Sequence, residues 1–386
     1  MKRRSFIRYL VGIAATFGVA VAGRFASASS ASDPKMAKPG ATPGFLPSKS
    51  KPRAAGKPLI KVIGIGGAGA SAVDHMIRDG LSGVEFVCVD TDAETLKGSS
   101  ADTKLQLFPG LGAGSQSGQT VGDAALVARA QIADVVSGAD LVFIIAGMGG
   151  STGTGVAVTV AEVARELGIL TVALVTSPLA SEGQRLAFAE SGIAELDKHT
   201  DTMIVIDNAE IMYAMEDWGE PVTTAEAFAT SDWSLSSWVS TIANTINVPA
   251  LVGIEFADVR AVLSGPGITE AGRSGCHVAC SDGNWPDRLL TARHCAEAAI
   301  SWSKFGESRL SKARAILVTV TGDTSLSIDE VSEVIMYIRS HAAPDAKIVV
   351  GTIQSHDEGM RDCFTVSVIA KRFDNAMGSG SCPKTM

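Results

Sequence analysis

Gly149-Gly150-Ser151-Thr152-Gly153-Thr154-Gly155 follows the apolar run Leu141-Val142-Phe143-Ile144-Ile145-Ala146 and precedes a segment in which Val156, Val160, Val163, Ala164 and Leu167 share one helical face. A strand feeding a glycine-rich turn that opens a helix is a phosphate cradle. Glycines let the backbone approach an anion, and the helix N-terminus offers unpaired N–H groups and the positive end of a dipole. Thr152 and Thr154 add hydroxyl donors. No lysine stands where a P-loop needs one, so backbone amides together with Mg²⁺ carry the binding of any nucleotide here. One such loop also serves ordinary strand-to-helix packing.

Two further loops change that weighting. Gly64-Ile65-Gly66-Gly67-Ala68-Gly69 satisfies GxGxxG between a strand and a helix, and Asp90 lies 21 residues after Gly69 at the end of the next strand. That is the dinucleotide fingerprint, in which the acid takes a ribose hydroxyl, and alone it favours a nicotinamide oxidoreductase. A third loop, Gly110-Leu111-Gly112-Ala113-Gly114, again follows a strand. In a parallel sheet the strand ends lie along one rim, so the three loops converge on one polyphosphate; three unrelated tight turns are the competing reading.

The rest of the pattern supports a parallel sheet with helices on both faces. Strands are expected at Leu59–Ile65, Val84–Asp90, Lys104–Phe108, Leu141–Ala146, Ile169–Thr176 and Thr202–Ile206. Helices are expected after Gly69 and over Gly122–Ser137, with Ser181 and Gln184 as a capping box for another. Between Thr224 and Asn247 the spacing of Phe228, Leu235, Val239, Ile242 and Ile246 predicts a long helix with an apolar stripe, ended by Pro249. The order then restarts: a helix at Arg288–Ser301, a strand at Ala313–Thr321, a helix capped by Ser327 and Glu330, and strands at Lys347–Thr352 and Cys363–Ala370. The expected fold is α/β: a Rossmann-like parallel-sheet domain, a long central helix and a smaller α/β C-terminal domain. Its boundaries are 1–57 for a leader and linker, 58–223, 224–250, 251–373, and a short tail at 374–386.

The chain has 386 residues, 46% hydrophobic and 19% charged, with a net charge of -8, which disfavours a nucleic-acid partner. Six cysteines are too sparse for a disulfide scaffold, so a reduced compartment is the default. The N-terminus complicates this. Lys2-Arg3-Arg4-Ser5-Phe6 opens a basic region, Leu10–Gly23 is a 14-residue apolar stretch, and Ala26-Ser27-Ala28 resembles a cleavage site. The stretch is shorter than the roughly 20 residues a spanning helix needs. Export of a nucleotide-dependent protein makes little physical sense, so the expectation is a cytoplasmic protein, membrane-associated if the leader is retained.

GIGGAGASAV, VDTDAETL, GLGAG, AGMGGSTGTGVA and EFADVR, in this order and spacing, resemble the FtsZ branch of the tubulin family from about Ile60 to Phe373. The resemblance implies a GTPase that polymerises head to tail, binding GTP or GDP with Mg²⁺ at the interface between subunits. Its partner is then itself, with a conventional FtsZ as a second candidate. It implies that Gly66, Gly67, Ala68, Gly69, Ala70 and Ser71 form the first phosphate loop and Asp90, Thr91 and Asp92 the second. Gly112, Ala113 and Gly114 would be the third, and Gly149, Gly150, Ser151, Thr152, Gly153, Thr154 and Gly155 the fourth. Glu182, Arg185 and Asn208 fall on ribose and nucleotide contacts. The family's guanine-reading Asn-Asp pair aligns with Asp232 and Trp233, while two asparagine contacts appear as Ser71 and Asp90.

Hydrolysis in the family uses acids that a neighbouring subunit presents. Here that motif reads Gly253-Ile254-Glu255-Phe256-Ala257-Asp258, which nominates Asp258 and Glu255 as catalytic and removes an amide at Gly253. Slow turnover, or a filament protein that binds nucleotide and modulates a conventional relative, is the alternative. No apolar-acidic peptide of the family's type follows Phe373, which suggests a specialised paralogue with the leader as a substitute tether. Cys276, His277, Cys280, His294 and Cys295 match no zinc spacing and are read as packing and surface residues, as are the five tryptophans. No metal-binding side-chain set is expected.

Overall fold

A computed structural model describes residues 57–107, 128–216, 223–248, 253–265, 267–277, 288–301, 310–355 and 363–372. The leader, the loop bearing Gly112, Ala113 and Gly114, and the tail lie outside the described residues. Ile60–Ile65 (β1), Glu85–Asp90 (β2), Thr103–Gln106 (β3), Leu141–Gly147 (β4), Leu170–Ser177 (β5) and Thr202–Asp207 (β6) form one sheet. Its order is β3-β2-β1-β4-β5-β6, and every pairing is parallel. A parallel sheet is covered on both faces, so its inner strands are continuous apolar runs. β1 is buried throughout, whereas the edge strands β3 and β6 bury only part of their residues.

The helices are Gly66–Arg78 (α1), Ala93–Gly98 (α2), Arg129–Val136 (α3), Ser151–Glu166 (α4), Gln184–Asp197 (α5), Asn208–Glu216 (α6), Thr224–Asn247 (α7), Phe256–Leu263 (α8), Arg288–Ser301 (α9) and Ile328–His341 (α10). One face of the sheet packs under α3, α4 and α5 through Ile132, Val136, Val156, Val160, Ala189 and Leu196. The other face packs against α1 and α7 through Val73, Met76, Leu235, Val239 and Ile242.

That second core does not stop at α7. It continues into Leu317, Val349 and Ile369 of a second sheet built from Ile268–His277 (β7), Ala315–Gly322 (β8), Lys347–Gln354 (β9) and Cys363–Arg372 (β10). This sheet has the order β7-β10-β8-β9, with β10 antiparallel to both neighbours and β8 parallel to β9. The long helix is therefore clamped between two sheets. Val239 and Ile242 have no exposed surface, and burying each is worth about 1.5 to 3 kcal/mol. Lys371 of β10, 1% exposed, also crosses the junction, donating to the carbonyl oxygens of Asp201 before β6 and Leu263 at the end of α8.

Local sequence signals set several boundaries. Thr223 and Glu226 form a reciprocal capping box at the start of α7, and Ser327 with Glu330 does the same for α10. Two expectations change. The first loop enters its helix directly at Gly66, not after Gly69. Ser181 and Gln184 make no capping box; a 3₁₀ turn at Ala180–Glu182 intervenes, and the Glu182 carboxylate accepts from Leu179 N–H at 2.9 Å. The described helix before β4 begins at Arg129, with the expected stretch at Gly122 lying outside the described residues. β7, which the sequence does not mark, is an edge strand whose Gly- and Ser-rich sequence shows no apolar alternation and which β10 recruits by pairing.

Candidate functional site

The strand order reverses between β1 and β4. In open α/β sheets the crevice beyond the carboxyl ends of strands at that point is where ligands bind. Here the crevice is a cavity of about 360 Å³ lined by Gly66, Gly67, Ala68, Asp90, Asp92, Gly150, Ser151, Thr152, Gly153, Glu182, Arg185, Asn208 and Asp232. Thirteen sequence-nominated residues from six separate segments thus meet in one concavity.

Two helix N-termini open into it. α1 begins at Gly66 and α4 at Ser151, and neither has a side-chain cap or an acid in its first turn. α7 and α10 carry full capping boxes instead. An uncapped N-terminus leaves backbone N–H groups seeking an acceptor, and residues at both of these helix starts line the cavity. The glycines make this approach possible. A Cβ on Gly69 would overlap the carbonyl oxygen of Ile145, and Gly149 sits at a φ of 94°, a conformation that disfavours side chains.

Several nominated residues make hydrogen bonds that shape the wall. Thr154 is buried, and its hydroxyl accepts from Gly149 N–H at 2.9 Å, which closes the loop. Thr152 lines the cavity, and its hydroxyl lies 3.2 Å from that of Thr91. Gly69, Ala70, Ser71, Thr91, Gly149 and Gly155 flank the cavity. Asp90 spends its carboxylate on its own loop, accepting from Thr91 N–H at 2.6 Å and Asp92 N–H at 3.1 Å, and burial raises its pKa. Asp92 caps α2, accepting from the N–H groups of Glu94 and Thr95. Asp90 therefore shapes its loop through Oδ1 while also lining the cavity.

The far wall comes from α5, α6 and α7. Glu182 and Arg185 pair with each other at the rim. Asn208 starts α6, with its Oδ1 2.9 Å from the hydroxyl of Ser231. Asp232, not Trp233, lines the cavity; Ser71 Oγ donates to its Oδ2 at 2.5 Å, and burial pushes its carboxyl pKa up against that bond. Trp233 instead meets Arg273 of β7, whose guanidinium carbon is 5.8 Å from the ring centroid.

Sequence reasoning missed Phe228. It was placed in the apolar stripe of α7, yet it is 58% exposed and lines the cavity one helical turn before Asp232. A flat aromatic face beside a carboxylate suits a planar heterocycle. Spacing alone misleads here, because Phe228 lies two turns before Leu235 and shares its face, and that face borders the cavity at this end of the helix. Thr176 and Pro178 were also missed, because they come from a strand end that no motif marks, and Met148, although inside the fourth-loop motif, was not singled out.

Glu255 and Asp258 are not in this cavity. They open α8, after the C-terminal end of α7, whose N-terminal end carries Phe228 and Asp232. Roughly 20 Å of helix, at 1.5 Å per residue, separates the two places. Asp258 pairs with Lys347 of β9 at 3.2 Å.

Among the described residues no group of three or more His, Cys, Asp or Glu is arranged to hold a metal ion. With Asp90 and Asp92 engaged by backbone amides, Mg²⁺ fits here only as a companion of phosphate oxygens and water, the usual state of that ion beside a nucleotide. Cys295 is buried and disulfide-bonded, which the sparse cysteine count did not lead one to expect. No described helix is long and apolar enough to cross a membrane.

Comparison with known proteins agrees with this geometry. Residues 59–216 match the Tubulin/FtsZ family GTPase domain and residues 286–374 the FtsZ family C-terminal domain. The cell division protein FtsZ of Pseudomonas aeruginosa is 42% identical over 316 residues, covering 81% of this chain and 76% of that one. That of Coxiella burnetii is 40% identical over 328 residues, covering 83% and 81%. An empty FtsZ dimer from M. jannaschii superposes with a TM-score of 0.69 at 30% identity over 82% of this chain and 88% of that one. CetZ2 from Haloferax volcanii, at 15% identity and a TM-score of 0.64, shares the fold. With both domains matched and relatives above 40% identity along most of its length, this chain belongs to the FtsZ family.

Proposed function

We propose that this chain is a GTPase that assembles head to tail, holding GTP with Mg²⁺ in the cavity at the sheet's switch point and hydrolysing it between subunits. The observation that carries this reading is the separation of binding and hydrolytic groups along α7. Asp232 and Phe228 stand at one end, and Glu255 and Asp258 follow the other. One subunit cannot bring both to the same phosphate; a second copy stacked on the nucleotide face can.

In this reading the open N-termini of α1 and α4 hold the phosphates, Phe228 stacks on the base, and Asp232 accepts from guanine N1 and N2. Mg²⁺ supplies charge neutralisation on the phosphate oxygens. Asp258 of the next subunit accepts a hydrogen bond from the attacking water, assisted by Glu255. The water oxygen bonds to the γ-phosphorus as the bond to the β-phosphate oxygen breaks, giving GDP and phosphate with the proton released to solvent. The N-terminal apolar stretch serves as a membrane tether, and the filament has a specialised division-related or membrane-organising role in the cytoplasm.

The full chain is expected to pellet with GTP and not with ATP, with turnover per subunit rising with protein concentration. Asp258→Ala is expected to bind GTP and lose turnover. Equal ATP hydrolysis at concentrations too low for assembly would sink this reading. Gly253 favours one alternative: its missing side chain leaves open space where the family carries an amide, consistent with a slow filament partner that modulates a conventional FtsZ. Mixing separates the two, since a passive partner changes the other protein's turnover without adding its own.

A further inference from the structure

Asp258 starts its helix with little to hold its side chain. Glu255 is the N-cap residue of α8 but provides no side-chain cap, and Gly253 contributes no side chain at all. The carboxylate of Asp258 has one side-chain partner among the described residues. Lys347 Nζ donates to its Oδ1 at 3.2 Å, and both side chains are about half exposed, 50% and 48%.

Lys347 is itself well anchored. It is the first residue of β9, it is in register with Ala315 of β8, and its N–H donates to the carbonyl oxygen of Arg314 at 2.9 Å. Val349, two residues on, is buried in the core shared by the two sheets. The ammonium group therefore projects from a rigid strand toward a carboxylate on a short, weakly capped helix.

An exposed ion pair of this kind contributes about 0 to 1 kcal/mol to stability, so holding the fold together does not account for it. Orientation does. A group that aligns a water for in-line attack must be held to a fraction of an ångström, and a freely rotating carboxylate is not. With Oδ1 occupied by Lys347, Oδ2 remains to accept from water.

We propose that Lys347 is a positioning residue for hydrolysis, fixing the Asp258 carboxylate so that its second oxygen is presented to water. This rests on the reading of Asp258 as the hydrolytic acid. The experiment measures GTP turnover at saturating protein together with pelleting and GTP affinity for the full-length parent, Lys347→Ala, Lys347→Arg and Asp258→Ala. Lys347→Ala is expected to lower turnover per assembled subunit roughly two- to fivefold while affinity and pelleting stay at parental values. Lys347→Arg, which keeps the donor, is expected to restore most of it. If Asp258→Ala is inactive while Lys347→Ala turns over at the parental rate, the positioning role is wrong and the functional reading stands. If Lys347→Ala loses pelleting in step with turnover and arginine rescues neither, the residue is an assembly contact and the positioning role is likewise wrong. Full turnover by Asp258→Ala would overturn the functional reading itself.

Discussion

Ser71 of α1 donates from Oγ to Oδ2 of Asp232 on α7 at 2.5 Å, tying the first phosphate-loop helix to the helix that spans both sheets. Burial raises the Asp232 pKa, and this bond works against the rise. An acid with a raised folded pKa destabilises the empty protein at neutral pH, where it is ionised at a cost. Asp232→Asn should therefore raise the melting temperature of the nucleotide-free protein while weakening GTP binding. In Ser71→Ala the carboxyl titrates higher still, so loss of GTP affinity on acidification should begin at a higher pH than in the parent. Calorimetric titration across pH 5 to 8 checks both, and identical pH profiles would refute the account.

Phe228 is expected to stack on the base. Its removal should cost roughly 1 to 3 kcal/mol of nucleotide affinity, about tenfold or more, as measured by GDP titration. Because the side chain is already 58% exposed, Phe228→Ala should leave urea stability within about 0.5 kcal/mol of the parent. A matching loss of stability would show instead that the ring packs against the fold.

Lys371 carries the pH dependence of the domain junction. Burial lowers its pKa to about 8 from 10.5, with Asp201 and Asp197 opposing. Between these values the unfolded chain holds a proton that the folded one has released, so this group's contribution to stability rises with pH through the window. Below about pH 8 the cost of burying the ammonium is carried in full. The melting-temperature difference between parent and Lys371→Met should move in the parent's favour from pH 8 to 10.5. A flat difference would contradict it.

Gly69 admits no side chain. Gly69→Ala would drive a methyl into the carbonyl oxygen of Ile145 in β4, and the helix must shift away from the strand. Overpacking of this kind costs about 1 to 3 kcal/mol, read as a lower urea midpoint, and displacing the first turn of α1 should weaken phosphate binding as well. Gly67→Ala, with open space around it, should leave stability near parental.

Much of this was legible in the chain itself. Strongly apolar strands, glycine turns and capping residues are local signals, and they marked β1, β4, β5, α7 and α10 closely. β7 and α6 were not legible, since β7 is an edge strand held by its partner and α6 begins on what reads as a strand end. The glycine turns that line the cavity were legible because close backbone approach restricts residue type to glycine. Phe228, Thr176 and Pro178 were not, because any of several residues can line a wall.

The sequence by itself determined the parallel sheet, the order of the elements and the glycine turns at its strand ends, because each depends on residues adjacent along the chain. Only the tertiary structure decided which hydroxyls and acids face the cavity. Thr154 turns inward onto its own loop, Asp90 braces its loop while lining the cavity, Asp232 lines it while Trp233 meets Arg273, and Lys347 reaches Asp258 across 89 positions. Side-chain direction depends on which hydrogen-bond partner the packed chain supplies, and those partners come from segments that no local pattern connects.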